Sequence, residues 1–189
     1  MLSDDRINLL ARVARMPHAV TSGATRMADR SILTLAAASY GSRPTDESTV
    51  PTGFDPSAAA LFECIVEGAY IVATADGIFD DDERRAFERI VTAACGGTVS
   101  QRHVADLIAD LADQLAEDGL DKRLTRLGEG ITRPEHAQEV LRIAALIAHS
   151  SEDVSAIERS VLDKVAAACR LEAGEVDLAF DDVKAALAS

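Results

Sequence analysis

Apolar residues recur along this chain at three- and four-residue intervals, and capping and turn residues interrupt them often enough to mark out separate helices. Ser3, followed by Asp4 and Asp5 and stopped by Pro17, frames a helix over 3–15 with Ile7, Leu10 and Ala14 on one stripe. A second helical segment is predicted over 24–40, ending at Gly41. Residues 41–57 carry three prolines and no periodicity, and read as a linker. Asp55 and Pro56 then supply a cap and a first helical residue. The helix they open, over 56–75, is apolar almost all round, with one narrow polar stripe at Glu63, Glu67, Tyr70 and Thr74. A helix of that kind is surrounded by other helices.

The remaining pattern is equally regular. Asp80 and Glu83 stand in capping-box relation before a helix over 81–95, which closes at Gly96-Gly97. Ser100 caps a helix carrying Val104, Leu107, Ile108, Leu111 and Leu115. A short piece follows over 121–129. Pro134 begins a second very apolar helix reaching about His149, Ser155 and Glu158 repeat the capping box before 156–171, and a last amphipathic helix spans about 175–187.

The pattern occurs twice. Residues 71–95 and 146–170 align without a gap: Ile71-Val72-Ala73 with Leu146-Ile147-Ala148, Asp80 with Ser155, Glu83-Arg84 with Glu158-Arg159, and Phe87 and Ile90 with Leu162 and Val165. An internal duplication with the two apolar helices packed as the core is the physical reading. The predicted fold is all-α: a bundle of about seven to nine helices built from two related helical repeats. The predicted organisation is a basic N-terminal helical arm over 1–40, a flexible linker over 41–56 and a helical domain over 57–189. Repeat 1 covers about 57–118 and repeat 2 about 132–189.

Composition agrees. The 189 residues include no Trp and only two Tyr and five Phe, a mix that favours helices over a β-sandwich. Three Cys with no CxxC spacing suit a reducing, cytoplasmic compartment. The N-terminus does not have the form of a secretory signal, and no uninterrupted apolar run approaches a membrane span. Charge is uneven. Residues 1–43 hold six Arg against three Asp, whereas the whole chain carries a net charge of −13. So acidic a body repels phosphate backbones and disfavours nucleic acid. It suits metal cations or basic partners. The basic arm, with Arg12, Arg15, Arg26 and Arg30, fits three seats: the anionic inner membrane surface, an acidic partner, or the chain's own acidic body.

The chemistry-bearing segment is Ala75-Asp76-Gly77-Ile78-Phe79-Asp80-Asp81-Asp82-Glu83-Arg84. It brings carboxylates from a helix C-terminus and a helix N-terminus to one turn, an oxygen-rich set that hard divalent cations such as Ca²⁺ take. It is not an EF-hand, because the sixth loop position is Asp81 and the twelfth is Phe87. A purely structural reading stands beside the metal reading: Gly77 ends a helix, Asp80 caps, and Glu83 completes the box. The second copy has Ser151-Glu152 where the first has Asp76-Gly77. It is either a structural turn or lends His149, Glu152 or Asp153, with Glu158 near by, to a mixed site. Carboxylate plus imidazole leans toward Zn²⁺.

Ala75-Asp76-Gly77, a five-residue gap and Glu83-Arg84, after an apolar helix and repeated 75 residues on, resembles the TerB family of bacterial tellurite-resistance proteins. The resemblance covers about 57–189. It implies an all-helical bundle of two repeats and a divalent-metal site, which falls position by position on Asp76, Asp80, Asp82 and Glu83. It also implies non-enzymatic roles in tellurite or general chemical stress and in membrane-associated assemblies.

No nucleophile–base constellation or phosphate loop occurs, so a non-enzyme is expected. His18, His103 and His136 are expected at the surface, and Cys64, Cys95 and Cys169 buried and inert. The other function that fits is an interaction scaffold whose acidic face recruits a basic protein, with the loop purely architectural.

Overall fold

The computed structural model describes residues 2–17, 31–44, 54–77, 79–150 and 154–189. Among them the chain forms nine α-helices and no strand: α1 Asp4–Arg15, α2 Ile32–Gly41, α3 Pro56–Ala73, α4 Asp81–Ala94, α5 Gln101–Asp118, α6 Leu120–Gly130, α7 Pro134–Ala148, α8 Ala156–Ala168 and α9 Glu175–Ala188. The all-α expectation therefore holds. Most boundaries follow from local chemistry. The side chains of Ser3, Ser31, Asp55, Ser100 and Ser155 each accept from the first-turn amides of the helix they open. Residues 24–30 of the predicted second helix, with Arg26 and Arg30, lie outside the described residues, and α2 itself starts at the Ser31 cap.

α3 and α7, the central helices of the two repeats, pack on each other along the core. Gly68 is what lets them approach. A Cβ at that position would lie 2.6 Å from Val140 Cγ1 on α7. α2 covers another flank of α3, while α9 and α8 cover α7. By length and composition α3 is long and apolar enough to cross a membrane. Here it is the strut of the bundle, with Phe62, Ile65, Ala69 and Val72 fully enclosed. A second close approach seats α6 against the end of α8, where a Cβ at Gly128 would fall 2.1 Å from the Ala168 carbonyl oxygen.

The described part of the N-terminal segment is not a detached arm. Ile7, Leu10, Ala11, Val13 and Ala14 of α1, and Leu33, Ala36, Ala37 and Tyr40 of α2, belong to one hydrophobic core with α3 and α7. α1 packs on α4, α7 and α9. Of the three seats open to the basic residues, Arg6 and Arg15 take the chain's own body. Arg6 donates to the His149 carbonyl (3.0 Å) and Arg15 to the Ala93 carbonyl (2.9 Å). Both acceptors lie at helix C-termini, where a cation is favoured by the macrodipole. The apolar stripe of α1 explains the docking, because leaving it in water would cost more than any surface ion pair returns.

Two buried charge clusters tie the bundle together. On α7, Glu139 and Arg142, each 1% exposed, form a pair with Nε–Oε2 at 2.8 Å. Arg142 also donates to the Val13 and Ala14 carbonyls at the end of α1 (3.2 and 3.1 Å), and Glu139 accepts from the Leu33 amide at the start of α2 (3.0 Å). The cation thus meets a helix C-terminus and the anion a helix N-terminus, the sense the macrodipole favours at both ends. On the other side lies Glu67 of α3, a member of the polar stripe. It is buried and receives Arg123 of α6 at 2.6–2.7 Å. Arg123, Lys122 and Arg126 converge on Asp118.

These clusters generate two predictions. Arg142→Met leaves a buried carboxylate and should cost about 3–5 kcal/mol in denaturant unfolding, with part of the loss recovered in the Glu139→Leu, Arg142→Met double variant. For Asp118, the hydrogen bond from Lys122, aided by Arg123 and Arg126 against the effect of burial, holds the carboxyl below its ordinary 3.8. A carboxylate depressed by folding adds stability that is present above the unfolded value and lost as pH falls through the folded one. Asp118→Asn should therefore lower the melting temperature at pH 7, and the gap to the parent should narrow below pH about 4.

Candidate functional site

The two interhelical corners that the duplication predicts come together in space. Ala73 at the end of α3 and Ile147 and Ser150 at the end of α7 border one cavity of ≈ 430 Å³, and the starts of α4 and α8 border it too. Asp80, Asp82 and Glu83 come from the first corner and Glu158 from the second. Glu83 and Glu158, the same position in the two copies, thus lie at one opening. Below them the lining is apolar, with Leu2, Phe79, Phe87 and Ile90 among its members. Phe79 and Phe87 meet edge to face at 6.2 Å, and each meets Tyr70 in the same manner.

Each acidic residue also has local work. Asp80 Oδ1 accepts from the Asp82 and Glu83 amides, both at 2.8 Å, and Glu83 Oε2 accepts from the Asp80 amide at 3.1 Å. Ser155 and Glu158 repeat this reciprocal arrangement, with the Glu158 amide donating to Ser155 Oγ at 3.1 Å and Glu158 Oε2 accepting from the Ser155 amide at 2.8 Å. Both capping boxes read from the sequence are therefore formed. Asp82 pairs with Arg85 at 2.7 Å and Asp81 with Arg84 at 3.3 Å, one turn along α4. Gly77 takes φ 78°, the left-handed turn that lets the chain leave α3.

For a divalent metal the fit is poor as these residues stand. Among the described residues no group of three or more His, Cys, Asp and Glu side chains is placed to hold an ion. A metal drawing on Asp80, Glu83 and Asp82 would compete with a capping box and an ion pair already made. Asp76 ends the turn after α3 and, among the described residues, is not part of the cavity lining. Of the second set, Glu152 and Asp153 lie outside the described residues. His149 is the C-cap of α7. Burial, with Arg6 and Lys184 near by, lowers its imidazole below the ordinary 6.5, so it is neutral at pH 7.

What the arrangement offers is an apolar hollow with a negative mouth. The carbonyl ends of α3 and α7 and the amide ends of α4 and α8 meet there, so the helix termini largely offset one another and the negative charge comes from the carboxylates. The three thiols do not suit nucleophilic chemistry: burial pushes Cys64 and Cys95 up to about 12 and Cys169 up to about 11. Cys95 and Cys169 are buried, as the sequence predicts, and Cys64 is half-buried. His103 is exposed and His136 half-buried, while His18 lies outside the described residues.

The family model described as Tellurite resistance protein TerB matches residues 65–180. The chain belongs to the TerB family. The matched span runs from the middle of α3 into α9 and so contains both corners, whereas α1 and α2 precede it. No curated protein and no solved structure matches the chain. The all-helical two-repeat bundle is thus the TerB fold in this chain, with an N-terminal helix pair built into its core.

The double capping box carries its own prediction. Asp80→Ala and Ser155→Ala should each lower stability by about 1 kcal/mol in chemical denaturation, with no ligand present. Their effects should add within about 0.5 kcal/mol, because the two boxes share no partner. A much larger joint loss would show that the corners support each other directly.

Proposed function

We propose that this TerB-family chain is a non-enzymatic recognition module of the tellurite-resistance or wider chemical-stress response, whose acid-rimmed cavity recruits a basic partner protein. One observation carries the reading: Asp80, Asp82, Glu83 and Glu158, from two separate corners, share the mouth of one apolar hollow. Capping explains why each acid stands at its own helix start. The packing of α3 on α7 then brings the two starts to a common opening. A net charge of −13 adds long-range attraction for a basic partner and speeds encounter. The three unpaired thiols suit a reducing, cytoplasmic setting.

A divalent ion, Ca²⁺ or Zn²⁺, bound through Asp76, Asp80, Asp82 and Glu83 is a second reading. Family membership favours it, as does the shared mouth of three of these residues. The capping boxes and the Asp82–Arg85 pair oppose it.

Calorimetric titration separates the two. A lysine-rich peptide should bind at 50 mM salt, lose most of its affinity at 500 mM and ignore chelator. Asp82→Asn and Glu158→Gln should each weaken it by up to about fivefold. Ca²⁺, Zn²⁺, Mg²⁺ and Mn²⁺ at millimolar concentration should give neither heat nor a melting shift. Metal-dependent stabilisation that disappears in the Asp76→Ala, Asp80→Ala variant would replace the first reading with the second.

A further inference from the structure

The cavity is not lined by carboxylates alone: Phe87, Ile90 and Ile147 of its wall are buried, whereas Asp80, Asp82 and Glu83 are exposed. A bare cation would meet the carboxylates at the mouth and leave the floor of Phe79, Phe87, Ile90 and Ile147 in contact with nothing. Nor is the hollow built only from the span that matches the family. Leu2, immediately before α1, forms part of its wall. Two contacts hold that end of α1 in place, one to the end of α7 and one to α4. Arg6 donates to the carbonyl of His149, the C-cap of α7, and Asp4 pairs with Arg89 of α4.

We propose that the occupant of the cavity is a single long basic side chain, lysine or arginine, of the partner protein, and that Leu2 is a specificity-determining residue contacting its methylene stem. The proposal rests on the recognition reading above and names the ligand of the same site. The chemistry of the two halves matches. Long basic side chains carry an apolar stem below a charged head, and they bury the one while keeping the other among polar groups. Here the stem lies against Leu2, Ala86 and Ile147, and the head sits between the carboxylates of Glu83 and Glu158. The Phe79 and Phe87 rings add a surface that favours a cation as well as an alkyl chain. The volume of ≈ 430 Å³ admits such a side chain in full. Leu2 precedes the family span, so this part of the wall comes from the N-terminal segment.

The test is a homologous series of n-alkylammonium ions, methyl to pentyl, titrated into the full chain and followed by NMR, beside a lysine-rich peptide. Affinity should climb by roughly fourfold for each methylene that reaches the floor. Leu2→Ala should flatten the climb, and Ala86→Leu, which fills the hollow without touching a charge, should abolish it. Asp82→Asn should weaken every member by the same factor. Thermal melts of each variant show whether it is folded, and Ala86→Leu decides alone if Leu2→Ala is not. A flat series, or a climb that survives Ala86→Leu, overturns this inference. If the peptide still binds with salt sensitivity in that case, the recognition reading stands without it. If neither peptide nor any ammonium ion binds, both fall.

Discussion

The mutual burial of α3 and α7 governs the rest of the molecule. Gly68 faces Val140 with no side chain between them, so the two central helices touch along their length with their C-terminal ends at one place. Each of those ends turns into a capped helix. Once the central pair is packed, the two corners must emerge side by side, and the duplicated capping boxes then present their acids to the same opening. The cavity is a consequence of helix packing rather than of any local loop geometry. Overpacking this contact would therefore disturb the candidate site as well as stability.

Charge is used inside the bundle with the same economy of means. The Glu139–Arg142 pair would be a weak contributor if it only paired with itself, since desolvation offsets much of the attraction. Its value lies in the main-chain groups it also engages. It supplies a partner to the Ala14 carbonyl at the end of α1 and to the Leu33 amide at the start of α2, and a second donor to the Val13 carbonyl, which also accepts from the Met16 amide. The N-terminal helices are consequently part of the domain's core chemistry, although they lie ahead of the span that identifies the family. That dependence is why Leu2 can belong to the site.

How much of this was legible in the sequence depends on distance along the chain. Caps are local, so Ser3, Asp55, Asp80 with Glu83, Ser100 and Ser155 with Glu158 could all be read from spacing alone. The duplication was legible too, because both copies keep the same apolar register. Gly68 and Gly128 were not, since nothing near them in sequence shows that Val140 and the Ala168 carbonyl are their neighbours. Glu67 was legible as one member of a narrow polar stripe, but its partner Arg123 lies on a helix whose placement the pattern does not specify. Glu139 and Arg142 do carry a signal: opposite charges three residues apart, with Arg142 the one polar residue in the run 140–148. The apolar stripe of α1 was plain, but which surface it would cover was not. At the site, the acids were found one by one. Their meeting across two corners required the packing of α3 on α7.

The central question for the site is whether the two corners act as one receptor. Backbone amide shifts of the folded chain, recorded during titration with a lysine-rich peptide at low salt, test this directly. Shifts should appear together at Asp80–Glu83 and at Ser155–Glu158 and follow a single binding curve. Movement confined to one corner, or scattered over the acidic outer faces of α5 and α9, would contradict it.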